Sequence, residues 1–258
     1  MLNKRILTIC CLCLTAAFLG FRLVGNNSYN IIFIGDSITE ARMVPDASTQ
    51  GPAAQAATYL TGTGKFKSIH FNNQGRSGFT TLDFLPTENN AYPKVVKAAD
   101  EFYRDQSATL VFSIMLGTND SAVKGTHGAP VSPENYKANL KSIADSLLSR
   151  YANCKIIINE PLWYSDSTQN GAVYLIEGRN RLLSYVPQIK ALVKEYKSLL
   201  PGQVFLGDEK AYAYFSKNYL TDMHAEHGPI GTFYLHPNQK GSAALGEFWG
   251  KAIAKVLN

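Results

Sequence analysis

Ile32-Phe33-Ile34-Gly35-Asp36-Ser37-Ile38-Thr39-Glu40 drives an apolar run straight into a glycine, an acid and a serine. A short, unbroken hydrophobic run suits a strand buried on both faces of a sheet. Ser37 followed three residues later by Glu40 is the pattern of a capping box, in which a hydroxyl and a carboxylate satisfy free N–H groups at a helix start. A serine at such a strand-to-helix turn is also exposed at the sheet's edge, beside helical N–H groups that favour negative charge. Capping and nucleophilic readings are therefore compatible, and the rest of the chain decides between them.

Four more runs resemble the first, Asn30–Ile34: Phe66–Phe71, Ala108–Leu116, Cys154–Asn159 and Gln203–Leu206. Helical spacing fills the gaps. Tyr92, Val95, Val96, Ala99, Phe102 and Tyr103 share one stripe, and Tyr136, Leu140, Ile143, Ala144, Leu147 and Leu148 another. The second stripe starts at Ser132-Pro133-Glu134, a cap followed by a first-turn proline. Tyr174–Leu200 and Ser242–Leu257 read as further helices. Strand alternating with helix five times predicts one α/β domain over residues 29–258, a three-layer sandwich around a five-stranded parallel sheet.

Residues 1–28 read differently. Lys4 and Arg5 precede an apolar run from Ile6 to Phe21, the pattern of a signal peptide or, as second choice, an N-terminal membrane anchor. The run falls short of the roughly 20 residues of a comfortable span. Export to a secreted or periplasmic location is the expectation. Setting this segment aside removes Lys4, Arg5 and Arg22 from the 25 basic residues, leaving 22 against 20 acidic ones. A nearly neutral domain gives no reason to expect a nucleic-acid partner. Three of the four cysteines lie in the leader, so Cys154 has no intrachain partner outside it and reads as a buried thiol.

Ligands of open parallel sheets bind beyond the carboxyl ends of the strands. There the chain places Gly35-Asp36-Ser37, Gly75-Arg76-Ser77-Gly78 and Gly117-Thr118-Asn119-Asp120, with His236-Pro237-Asn238 before the last helix. Singly, each is an ordinary turn. Together they supply a hydroxyl, an imidazole base and N–H donors for an oxyanion, the parts of an acyl-transfer site.

In these four ordered blocks the chain resembles the SGNH hydrolases, also called GDSL esterases and lipases. The resemblance implies Ser37 as nucleophile, His236 as base, and an oxyanion hole of the Ser37 and Gly78 N–H groups with the Asn119 side chain. It also implies a flavodoxin-like fold and no metal cofactor. One departure is plain: the aspartate that the family carries three residues before the histidine is Phe233 here. Asp222, with Met223–Gly231 looping out as an insertion, is the first choice to replace it. Glu226 or Asp208 are alternatives, as is a backbone carbonyl holding the imidazole of a Ser–His dyad.

Asp222-Met223-His224-Ala225-Glu226-His227 also offers zinc-type ligands, at a loop-like spacing that argues against a site. The expected function is an exported serine esterase acting on a small-molecule or glycan ester, foremost an O-acetylesterase on carbohydrate. Pro161-Leu162-Trp163-Tyr164 offers aromatics either to a sugar face or to the core. A lipid or lysophospholipid esterase is the enzymatic rival, and a glycan-binding module that has lost turnover is the rival from another class.

Overall fold

The computed structural model describes residues 27–258, so the expected leader lies almost wholly outside the described residues. Five strands form one parallel sheet: β1 (Ser28–Gly35), β2 (Ser68–Gly75), β3 (Ala108–Met115), β4 (Lys155–Ile158) and β5 (Val204–Leu206). Their order is β2-β1-β3-β4-β5, the flavodoxin-like arrangement. Each corresponds to one of the apolar runs, with β2 shifted toward the polar residues Asn72–Gly75.

Alternation along the strands divides the core in two. Ile32, Ile34, Phe112 and Ile114 face one layer of helices, α4 (Tyr92–Tyr103), α5 (Pro133–Arg150) and α6 (Leu175–Leu199). Ile31, Phe33, Val111 and Met115 face the other, built from α3 (Pro52–Gly62), α7 (Ala211–Asp222) and α8 (Gln239–Leu257). Trp249 of α8 stacks on Phe33 with ring centroids 5.7 Å apart. Burying both faces of β1 and β3 in this way is what fixes their register, since a one-residue slip would exchange the two apolar sets. Ser132 caps α5 as expected, accepting from the Asn135 N–H at 3.2 Å.

Register then levels the strand ends. Gly35 of β1 pairs with Gly75 of β2 and with Met115 of β3, so the residues that follow all three emerge at one edge. Two short helices follow β1, α1 (Ser37–Glu40) and α2 (Ala47–Gln50). The segment expected to loop out before His236 instead forms a hairpin, β6 (Glu226–Gly228) and β7 (Gly231–Phe233). The Gly228-Pro229-Ile230-Gly231 turn closes it, with Gly231 at φ +115°.

Trp163 and Tyr164 belong to the core. Trp163 packs on Tyr219 at 5.1 Å between ring centroids, and Tyr164 is fully buried. The aromatic segment therefore offers no sugar platform. Cys154 is buried as well, and burial pushes its thiol up to about 12, away from reactivity. Among the described residues no helix is long and apolar enough to cross a membrane.

Candidate active site

The turn after β1 is tighter than a capping box. Asp36, not Ser37, caps α1, its carboxylate accepting from the Ile38 N–H at 2.9 Å. Glu40 turns away from the helix start and accepts from the Ser77 N–H at 2.8 Å and from the Ser77 hydroxyl. The Ser37 hydroxyl is thereby left to other chemistry. It lies 2.8 Å from Nε2 of His236, a residue 199 positions away.

Gly75 and Gly78 shape the neighbouring turn for different reasons. A Cβ on Gly75 would stand 2.2 Å from the Glu40 backbone nitrogen, so only glycine lets β2 end against α1. Gly78 has φ +80°, the left-handed region that side-chain-bearing residues avoid. The N–H groups of Ser37 and Gly78 have no protein acceptor among the described residues.

Asn119, after β3, completes the set of donors. Its Nδ2 donates to the Phe79 carbonyl at 2.9 Å, which leaves the second amide hydrogen free. Its Oδ1 accepts from the Tyr174 hydroxyl at 2.6 Å. A phenol that donates to the oxygen fixes which end of the amide is nitrogen. Burial pushes the Tyr174 phenol well above its ordinary value, so it stays a donor. Nothing in the sequence marked Tyr174, because the contact spans 55 residues and a phenol at a helix start is common.

Two carboxylates lie beneath this floor. Asp120 accepts from the Thr81 N–H at 3.0 Å and from the Thr81 hydroxyl, tying the Gly78 loop to the Asn119 loop. Burial pushes Asp120 up to about 7 and Asp36 up to about 6. Desolvation is the dominant cause for both, since neither has any exposed surface.

The imidazole is held by Glu226. His236 Nδ1 lies 2.9 Å from Oε1 and 3.0 Å from Oε2, and the His236 N–H donates to Oε1 at 3.2 Å. An ionised carboxylate only accepts, so Nδ1 carries the proton and Nε2 keeps its lone pair toward Ser37. The preferred sequence reading, Asp222, is corrected here. Asp222 is buried and satisfied elsewhere, by Lys240 and the Thr221 hydroxyl on Oδ1 and by the Tyr214 hydroxyl on Oδ2, all at 2.7 Å. Asp208 accepts from the N–H groups of Lys210 and Ala211 at the start of α7.

The hairpin register explains the replacement. Glu226 on β6 pairs directly with Phe233 on β7, the position where the family motif carries its aspartate. The carboxylate is thus supplied from the adjacent strand, while Phe233 is spent on the core, 1% exposed. The same geometry dissolves the zinc-type cluster. His224 Nε2 lies 2.8 Å from the Met43 carbonyl oxygen, His227 contacts Thr232, and Glu226 serves His236. No group of ligands able to hold a metal occurs among the described residues.

The model of the GDSL-like Lipase/Acylhydrolase family matches residues 33–244. The chain belongs to that family. It is accordingly a carboxylic ester hydrolase, and its sheet order is the SGNH fold. No curated protein sequence matches this GDSL hydrolase. Solved structures share its fold at low identity. A carbohydrate acetylesterase from Sinorhizobium meliloti, Est24, is 16% identical with a TM-score of 0.57, covering 89% of this chain and 100% of its own. A catalytic mutant of Axe2, an acetylxylan esterase from Geobacillus stearothermophilus, is 20% identical with a TM-score of 0.58, covering 91% and 96%. The M. Smegmatis aryl esterase is 15% identical at 0.55, covering 89% and 98%.

In this GDSL hydrolase Ser37, Gly78, Asn119, Tyr174, Glu226 and His236 all line one cavity of about 560 Å³. Thr126, His127 and Asn170 share its wall, which makes the lining largely polar.

Proposed function

We propose that this hydrolase is an exported O-acetylesterase of carbohydrate that works through a Ser37–His236–Glu226 triad. The observation that carries the reading is the unbroken relay Ser37 Oγ, His236 Nε2, His236 Nδ1, Glu226, with contacts of 2.8 and 2.9 Å. Ser37 Oγ attacks the ester carbonyl carbon as its proton passes to Nε2. The resulting imidazolium is held by Glu226, whose charge is offset only when the proton arrives.

The carbonyl oxygen becomes an oxyanion facing the Ser37 and Gly78 N–H groups and the free hydrogen of Asn119 Nδ2. Collapse breaks the ester C–O bond, and His236 returns the proton to the departing alcohol. Water then enters by the same route: His236 removes its proton, the acyl-enzyme is hydrolysed, and Ser37 is restored. The polar cavity wall favours a sugar over a long acyl chain, whose burial needs apolar lining. The acetylesterases among the structural relatives support the same choice, and the basic-then-apolar N-terminus supports export.

Hydrolysis of p-nitrophenyl acetate and of acetylated xylan by wild type and Ser37→Ala tests the proposal. Loss of about 10⁴-fold or more in kcat/KM on replacing Ser37 is expected, with acetyl preferred over octanoyl esters. Equal rates in the two proteins would reject the triad, and a preference for long acyl chains would favour the lipid esterase.

A further inference from the structure

The catalytic cavity contains one charged side chain that the protein leaves unanswered. Its other ionisable members are engaged: Glu226 with His236, and His127 through Nδ1 to Asp83 at 3.0 Å. Arg42 lines the same wall, and its guanidinium has no hydrogen-bonding or ionic partner among the described residues. Glu40, the nearest acid in sequence, is occupied by Ser77.

Arg42 is also held at this place by the backbone. Ala41 ends α1 in the left-handed region, at φ 62° and ψ 42°, a conformation that residues with a Cβ rarely adopt. The strained turn is tethered to the nucleophile, since the Ala41 and Arg42 N–H groups both reach the Ser37 carbonyl, at 3.1 and 3.4 Å. It is locked by burial of Ala41, which is 6% exposed. The turn sets Arg42 on the wall shared by the catalytic cavity and a second cavity beside it, lined also by Val44, Pro45 and Ala47. Arg42 thus lines both cavities, within reach of a sugar chain that extends from the first into the second.

We propose that Arg42 is a specificity residue that binds a carboxylate on the alcohol half of the ester, so that the preferred substrate is an acetylated glycan containing uronic acid. This rests on the acetylesterase reading and narrows it. A guanidinium offers a planar fork of donors that matches a carboxylate with two parallel bonds. Hydroxyl and amide groups of Thr126 and Asn170 on the same wall suit the neutral parts of the sugar.

The test compares an O-acetylated oligogalacturonide with the methyl ester of the same oligosaccharide, identical in ring and acetyl group but uncharged. Wild type is expected to favour the free acid by about tenfold in kcat/KM. Arg42→Gln should bring that ratio to about one, and high salt should shrink it in wild type. A wild-type ratio near one, or a ratio that Arg42→Gln and salt leave unchanged, overturns the proposal while the acetylesterase reading stands. Absence of Ser37-dependent release of acetate from both forms overturns the acetylesterase reading, and this proposal with it.

Discussion

Two sides of the cavity are built by different means. Ser37, Gly78 and Asn119, the proposed nucleophile and oxyanion donors, sit beyond the ends of β1, β2 and β3, and the residues Ile31–Ile34 of β1 and Val111–Met115 of β3 are almost wholly buried. Below the surface Asp120 ties the loop after β3 to Thr81 of the loop after β2, and Asp36 caps the turn that carries Ser37. The imidazole and its acid sit on an eight-residue hairpin, Glu226 to Phe233, and the loop behind it. That hairpin is docked by a few contacts: Ser167 hydroxyl to the Thr232 carbonyl at 2.8 Å, Ser165 N–H to the Tyr234 carbonyl at 2.9 Å, and Phe233 in the core. Its tip, Ile230, is 56% exposed. On the proposed mechanism, charge stabilisation is part of the folded core, while proton transfer is attached to its edge. Damage on the first side should reach stability as well as rate, and damage on the second should be confined to rate.

The largest effect on the sheet side is expected at Asn119. Asn119→Ala should lower kcat by about 10²–10³-fold with little change in KM, the signature of a donor that acts on the transition state. Tyr174→Phe should cost roughly tenfold, because the amide it orients is still present. The double variant should be no slower than Asn119→Ala alone, and additive losses would show that Tyr174 acts otherwise.

A smaller, purely thermodynamic effect belongs to the buried carboxyl groups. Asp120 and Asp36 titrate near about 7 and 6 when folded against 3.8 as the ordinary value, so the folded protein holds protons that the unfolded chain has released. Stability must therefore fall as pH rises through this window and level off above it. Denaturant unfolding should show a decline on the order of 6 kcal/mol between about pH 4 and pH 8 from these two groups. Asp120→Asn should flatten that slope, whereas an unchanged slope would mean that Asp120 is charged throughout.

Much of this was legible in the chain because it is written locally. Apolar runs bounded by Gly35, Gly75 and Gly117 mark the strand ends, and a parallel sheet makes strand ends the place for ligands. Together with the resemblance to the SGNH hydrolases those ends point to Ser37, Gly78, Asn119 and His236, and the structure brings all four to one cavity. What failed to show was whatever depends on pairing. Ser37–Glu40 looked like a capping box because the pattern does not reveal that Ser77, 37 residues on, competes for Glu40. Asp222 looked right because aspartate is the family's residue type, yet Lys240 and Tyr214 claim it across α7 and α8. Glu226 depends on a cross-strand register that three-residue strands do not announce. The Gly228-Pro229-Ile230-Gly231 turn was the available signal for that hairpin.

The decisive measurement compares kcat/KM for p-nitrophenyl acetate in Glu226→Gln and Asp222→Asn, with Tm recorded for both. Holding of the imidazole by the hairpin predicts a loss of about 10²–10⁴-fold for Glu226→Gln at nearly unchanged Tm, and less than about tenfold for Asp222→Asn despite a lowered Tm. The reverse order of activities would contradict it.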